Sequence, residues 1–269
     1  MPPMIEALGI EIFHKDSGEG PPTLFLHGNP DSADLWDGVT EQLQGSFRCL
    51  APDLPGFGRS GDAGKLDCSL GGFGRLVDAI VEGIGITEPL NLVVHDFGGP
   101  IGLAWAVQHP EKVRRLAMIN TVFSSKYRWH FWARIWRTPV LGELSLATMT
   151  WPLFRWSIRK GSRHLSEEHM RQTYTYLTPK MKRMVLRLYR ATDPENFRGW
   201  EEKLHELVAR VPTLVLWGDH DIYISKRIAA TFGTDNIQHF PDHGHWLPAE
   251  APEEVAAALR EHFTDEPTA

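Results

Sequence analysis

Six short β-rich runs, separated by stretches long enough for a helix, set the strongest limit on how this chain can fold. They are TLFLHG from Thr23, FRCLAPD from Phe47, NLVVHD from Asn91, RRLAMIN from Arg114, TLVLWGD from Thr213 and NIQHF from Asn236. Apolar residues near helical spacing predict helices over ADLWDGVTEQL, LGGFGRLVDAIVEGIG, GPIGLAWAVQHP and APEEVAAALREHF. Parallel strands need a crossover, and a helix supplies it, so the alternation predicts an α/β fold: a mostly parallel sheet with helices on both faces. Ahead of the first run, GIEIFHKDSGEG has the pattern of the end of an antiparallel hairpin. With 269 residues, 42% of them hydrophobic, the chain can bury a full core, near the upper size for one domain.

The alternation breaks between about Thr121 and Arg210, where about ninety residues carry helical patterning throughout. This segment is predicted to be an inserted helical cap over the strand ends, with 122–210 as cap and 1–121 together with 211–269 as core. From Ser125 to Arg190 there are 14 Lys or Arg against 3 Asp or Glu, although the whole chain has a formal net charge of -6. Two roles are open to these cations: a solvated helix face, or attraction of anionic substrates or a membrane surface. The same segment holds many of the tryptophans and tyrosines. Most supply packing area, and a few are expected to line an apolar pocket.

In open α/β sheets, ligands bind beyond the carboxyl ends of the strands. Four polar clusters fall there: HGNP at His27 to Pro30, HDFGG at His95 to Gly99, GDHD at Gly218 to Asp221 and DHGHW at Asp242 to Trp246. Their order is nucleophile, acid, histidine. Together with DLPGFGRS at Asp53 to Ser60, these motifs are similar, over nearly the whole chain, to the α/β-hydrolase superfamily. Within it the chain resembles the branch that contains haloalkane dehalogenases and epoxide hydrolases. That branch carries aspartate at the nucleophile elbow in a His-Asp-aromatic-Gly context, which HDFGG matches with Asp96.

An aspartate has a chemical reason to stand there. A carboxylate of pKa about 4 is ionised at neutral pH and attacks without a general base. It suits displacement at a saturated carbon bearing a leaving group, and the product is an ester of Asp96 whose carbonyl water can attack. The resemblance then implies His245, in the Gly-His-aromatic pattern, as the base that activates this water. His243 is the alternative passed over. Asp221, at the Gly-x-x-Asp spacing, is preferred to Asp219 as the partner that orients the imidazole. The competing acid position after AMIN is filled by Asn120. The backbone N–H groups of Asn29 and Phe97 are expected to hold the oxyanion. The His-Gly-x-Pro pattern implies a tight turn, often with a cis bond before the proline. His27 and His95 are expected to shape loops.

The resemblance leaves the leaving group open. A haloalkane dehalogenase holds its halide with a pair of N–H donors, of which the Asn of HGNP is present as Asn29, while the position after the nucleophile, often tryptophan, is Phe97. An epoxide hydrolase uses cap tyrosines as acids, and Tyr189 stands where one is expected, with Tyr127, Tyr174 or Tyr176 as its partner. Haloacid-acting relatives carry arginines near the nucleophile where this chain has Phe97 and Pro100. A β-lactone-acting relative and a non-catalytic ligand-binding protein complete the set. Carbon-halogen cleavage is preferred, with epoxide hydrolysis second.

The expected partners are a small apolar organic substrate and water. The acidic balance, with a pI near 6.1, gives no general attraction for nucleic acid. No cofactor or metal is expected, since zinc-ligand spacings and the Walker and dinucleotide patterns are absent. Cys49 and Cys68 make no disulfide framework. No apolar run reaches the roughly 20 residues that span a bilayer. The expectation is a cytoplasmic protein of undetermined oligomeric state.

Overall fold

The computed structural model describes residues 3–264. Eight strands form one sheet: β1 Met4–Ala7, β2 Ile10–Ser17, β3 Pro22–Leu26, β4 Arg48–Pro52, β5 Leu90–Asp96, β6 Val113–Thr121, β7 Thr213–Gly218 and β8 Ile237–Phe240. The spatial order is β1-β2-β4-β3-β5-β6-β7-β8. The expected hairpin is β1–β2, β2 continues antiparallel onto β4, and every later pair is parallel.

Eleven α-helices follow in chain order among the described residues. They are α1 Asp37–Leu43, α2 Leu70–Ile84, α3 Gly98–Ala106, α4 Phe131–Arg137, α5 Leu141–Ala147, α6 Trp151–Gly161, α7 Glu167–Thr175, α8 Pro179–Ala191, α9 Trp200–Val208, α10 Leu247–Glu250 and α11 Pro252–Thr264. Strand periodicity sends alternate residues to opposite faces of the sheet. Leu24, Leu26, Leu92, Val94, Leu116 and Met118 join one apolar core, against α2 and α3. Phe25, Val93, Ala117, Ile119, Leu214 and Leu216 join the other, against α1 and α11. The central strand β5 is buried along all seven residues, which is why its sequence is a continuous apolar run rather than an alternation.

Helices α4 to α8 form the inserted cap between β6 and β7, while α9, at the end of the same insertion, packs on α3 of the core. The sequence of α8 shows how the cap is built. Thr178 caps its first turn by accepting the Met181 N–H, and Pro179 occupies the first helical position, where a missing N–H costs nothing. Met181, Met184, Val185 and Leu188 recur at helical spacing and are buried, each contributing about 1.5–3 kcal/mol of apolar transfer. The flank of this stripe carries Lys180, Arg183 and Arg187. These reach the core loop that follows Arg59: Lys180 donates to the Ser60 carbonyl, Arg183 pairs with Asp62, and Arg187 donates to the Gly64 and Leu66 carbonyls, at 2.6 Å each. Arg137 pairs with Asp193, Arg190 with Glu143, and Arg155 and Arg159 with Glu167. Much of the basic excess of the cap is therefore engaged in bracing. Among the described residues, no helix is long and apolar enough to cross a membrane.

Candidate active site

The four polar clusters converge at the carboxyl ends of β3, β5, β7 and β8. Asp96 ends β5 and takes φ +47°, in the left-handed region that a non-glycine residue rarely occupies. The turn into α3 is possible because Gly98 has no side chain: a Cβ there would collide with the Leu26 carbonyl. A Cβ on Gly28 would likewise collide with the Asp96 carboxylate, so the HGNP loop can approach the nucleophile only with glycine at that point. The Thr121 hydroxyl donates to the Asp96 carbonyl at 2.6 Å and fixes the elbow from β6. Helix α3 starts at Gly98 without a side-chain cap, so Asp96 is not capping it.

The Asp96 side chain is held at both oxygens. Oδ1 accepts the Asn29 N–H at 2.8 Å, and Oδ2 lies 3.5 Å from His245 Nε2. The Asn29–Pro30 peptide bond is cis. His245 Nδ1 is 2.7 Å from Asp221 Oδ2. The Asp221 carboxylate is fully buried and accepts three further hydrogen bonds, from Asn120 Nδ2 at 3.0 Å and from the Tyr223 and Ile224 N–H groups at 2.7 and 2.9 Å. Asn120 itself grips the end of β7, accepting the Gly218 N–H and donating to the Gly218 carbonyl. It sits at φ +38°, and its role as the holder of Asp221 was not apparent from sequence.

Burial by itself raises the Asp96 carboxyl and lowers the His245 ring. The hydrogen bond and charge of His245, with His95 and the Asn29 N–H, hold Asp96 below the ordinary carboxylate value. Asp221 and Asp96 raise His245 to about 10. The His245 ring thus lies between two carboxyl groups, 2.7 Å from Asp221 and 3.5 Å from Asp96. His95 is lowered to about 4 by burial and by the charge of His245, so its neutral ring donates from Nε2 to the His245 carbonyl at 2.8 Å.

The remaining candidates lie elsewhere. His243 stands against His164 and Phe240, and Asp219 pairs with Lys226 and His239. His27 accepts the Leu54 N–H and contacts the Gly28 carbonyl, a loop-shaping role. Asp53, Arg59 and Ser60 of DLPGFGRS form a hydrogen-bonded brace with Asp34 and Ala33. The phenols of Tyr127, Tyr174 and Tyr176 donate to the Tyr223 carbonyl, the Met149 carbonyl and Asp34, and of the three Tyr127 borders a small cavity together with Tyr189 and Asp96.

The cap closes the site from above. Tyr189 is buried, its hydroxyl 3.5 Å from Asn29 Nδ2 and 3.4 Å from His130 Nε2. Burial, then the Asp96 charge, raises this phenol well above its ordinary value, so it keeps its proton. Burial lowers His130 to about 4, and its Nδ1 caps α4 by accepting the Ala133 N–H. Phe97 presents its ring, 4.8 Å from the ring of Tyr189 and 6.2 Å from that of Trp129. Asp96, Asn29, His245, Tyr189, Trp136 and Tyr223 are among the walls of one narrow cavity of about 50 Å³. The buried Trp136 Nε1 has no hydrogen-bond partner. Among the described residues there is no cluster of metal-ligating side chains.

A mostly parallel sheet with a strained elbow residue after β5, an acid after β7 and a histidine after β8 defines an α/β-hydrolase. The α/β-hydrolase fold family matches residues 21–145. The chain has the α/β-hydrolase fold and is similar to the haloalkane dehalogenase-like branch of that superfamily, a likeness that indicates a hydrolase. It is 28% identical to haloalkane dehalogenase 2 of Mycobacterium tuberculosis over 94% of this chain and 91% of that protein. It is 24% identical to a cis-3-alkyl-4-alkyloxetan-2-one decarboxylase of Shewanella oneidensis, over 97% of this chain and 87% of that one. The crystal structure of an ancestral haloalkane dehalogenase superposes with a TM-score of 0.77 at 27% identity, covering 98% of this chain and all of that one.

Proposed function

We propose that the protein displaces a leaving group from a saturated carbon of a small apolar substrate, with Asp96 as nucleophile, His245 as base and Asp221 as its orienting partner. The observation that carries this reading is the division of labour at the Asp96 carboxylate. Oδ1 rests on the Asn29 N–H, which leaves Oδ2, on the His245 side, to attack. The new carbon–oxygen bond forms as the leaving group departs with its electron pair. Esterification removes the Asp96 charge, one of the two that raise His245, so the imidazolium gives up a proton to solvent and the neutral ring becomes a base. His245 Nε2 then takes a proton from water, the hydroxide adds to the ester carbonyl, and the Asn29 N–H receives the oxyanion that develops on Oδ1, joined by the Phe97 N–H. Collapse breaks the bond between Cγ and the alkylated oxygen, the departing alkoxide takes the proton from His245 and leaves as the alcohol, and the Asp96 carboxyl passes its new proton back to His245, which restores the starting pair.

For the leaving group, halide is preferred. Asn29 Nδ2 and the Tyr189 hydroxyl face one another across 3.5 Å, and the unpartnered Trp136 Nε1 lies on the same cavity. These donors stand in for the indole that Phe97 does not supply, and the dehalogenase relatives support the choice. A second reading, epoxide opening, is favoured by the contact of the Tyr189 hydroxyl with His130, since an alkoxide needs a proton donor and a protonated phenol beside a ring nitrogen is one.

The test is intact-mass analysis of His245→Gln after incubation with a bromoalkane panel and, separately, an epoxide panel. A gain equal to the alkyl group, abolished by Asp96→Asn, supports halide displacement. A gain equal to the whole epoxide moves the assignment to epoxide hydrolysis. A folded variant that gains no mass on either panel overturns both.

A further inference from the structure

A second depression adjoins the catalytic cavity. It is a groove of about 330 Å³ bordered by Phe131, Trp132, Trp156, Lys160, Ile222 and Tyr223, and it shares His130, Trp132, Ser157 and Tyr223 with the walls of the cavity. The two spaces therefore share four wall residues. Three large apolar residues at its rim are open to solvent: Phe131 is 70% exposed, Trp156 52% and Ile222 55%. An exposed apolar cluster beside a cavity is a surface on which a ligand can be bound.

An aromatic series runs between the groove and the site. Phe131 stands 5.5 Å from Trp132, Trp132 is stacked 6.2 Å from Trp136, and Trp136 is 4.9 Å from Tyr189, whose hydroxyl meets Asn29. At the outer end the Lys160 ammonium lies 3.9 Å above the Trp156 ring and makes no ion pair among the described residues. Arg137, Arg155, Arg183 and Arg190 of the cap each have a carboxylate partner, and Lys160 is the cation that borders the groove.

We infer that the groove holds the non-reacting end of the substrate, and that this end is an apolar chain terminating in an anionic group that pairs with Lys160. The inference rests on the reading that Asp96 attacks a carbon in the adjoining cavity, and it specifies the substrate class: an elongated amphiphile with its electrophilic carbon at one end and a carboxylate or similar anion at the other. Apolar contact along Phe131, Trp156 and Ile222 supplies affinity, and Lys160 sets the orientation in which the reactive end enters first.

The test compares ω-bromoalkanoates of four to twelve carbons with 1-bromoalkanes of the same lengths, on the wild-type protein and on Lys160→Gln, Lys160→Glu and Trp156→Ala. For long bromoalkanoates, kcat/KM is expected to fall about threefold in Lys160→Gln and about tenfold in Lys160→Glu, carried by KM, because an exposed pair is modest and a reversed charge repels. The 1-bromoalkanes stay within about twofold of wild type in both lysine variants, and Trp156→Ala weakens long substrates of both kinds. Equal losses for charged and neutral substrates in Lys160→Gln overturn the inference. Binding of dodecanoate against dodecanol, read by tryptophan fluorescence, needs no chemistry and separates the two levels. Lys160-dependent preference for dodecanoate without turnover of any bromide retains the groove and rejects halide displacement. Turnover of bromides without that preference does the reverse.

Discussion

His169 Nε2 on α7 lies 2.9 Å from Asp31 Oδ2, so a cap helix is tied by a buried ion pair to the loop that carries Asn29. The same oxygen accepts the Trp246 indole N–H at 3.1 Å, next to His245. Burial opposes both charges, yet Asp31 raises His169 and His169 lowers Asp31. Because the folded pKa of His169 is raised, its stabilisation is complete below the ordinary histidine value and is lost as pH rises through the raised one. Asp31, depressed, contributes above the ordinary aspartate value and loses its contribution as pH falls through the lowered one. His169→Gln leaves Asp31 short of its cation and is expected to cost about 3 kcal/mol, about 6–12 °C in Tm, near pH 6. The difference from wild type should shrink as pH rises. A pH-independent Tm difference counts against the pair.

His245 gives a second pH prediction. Its ring is raised to about 10, so the stability it draws from Asp221 and Asp96 is fully present below about pH 6.5 and disappears as pH climbs through 10. Thermal melts of wild type and His245→Gln across pH 6 to 10 should therefore converge. In single-turnover experiments the first step should stay flat through neutral pH and fall only on acidification through the depressed Asp96 value. Loss of alkylation between pH 8 and 6 would contradict the assignment of Asp96 as a nucleophile that needs no base.

Asn120 offers a test of who holds the histidine. Asp221→Asn is expected to lower kcat by about 10³-fold or more, since the imidazole loses its orienting charge. Asn120→Asp in that background places a carboxylate where the Asn120 amide now meets Asp221, and should recover about tenfold of the loss. No recovery, in a double variant with wild-type circular dichroism, would mean that β6 cannot supply the acid.

Much of this site is legible in the sequence because the residues involved lie within a few positions of strand ends. HGNP, HDFGG, GDHD and DHGHW are local patterns, and a strand followed by a glycine turn leaves little choice of where Asp96, Asp221 and His245 point. His130 and Trp136 escape such reasoning: they reach the cavity only through the packing of α4, which no short pattern encodes, whereas Tyr223 follows Asp221 by two residues. Tyr189 was anticipated, but its neighbour His130 was not, because the two are brought together by a helix start fifty-nine residues away. Asn120 was passed over as the wrong residue type for an acid, although a neutral amide is what can donate to Asp221 and still bridge the Gly218 backbone.

The cap also reaches the catalytic histidine directly. The His245 N–H donates to the Gly161 carbonyl at 2.8 Å, and the Trp246 N–H to the Ser162 hydroxyl at 2.8 Å. Ser162→Ala removes one of these anchors and is expected to cost about 1 kcal/mol, seen as a Tm lower by about 2–4 °C and a kcat lower by about fivefold with KM unchanged. Ser162→Thr should rescue kcat. A change in KM alone would assign Ser162 to substrate contact instead.

Those two anchors bear on modularity. A chimera that joins this core to a foreign cap, cut at the ends of β6 and β7, would retain Asp96, Asp221 and His245 and yet lose the seat on which the histidine backbone rests. Exchange of caps between relatives therefore succeeds only where the incoming segment also presents a carbonyl and a hydroxyl at the end of its α6, so that the insertion is inherited as part of the catalytic apparatus rather than as an interchangeable cover.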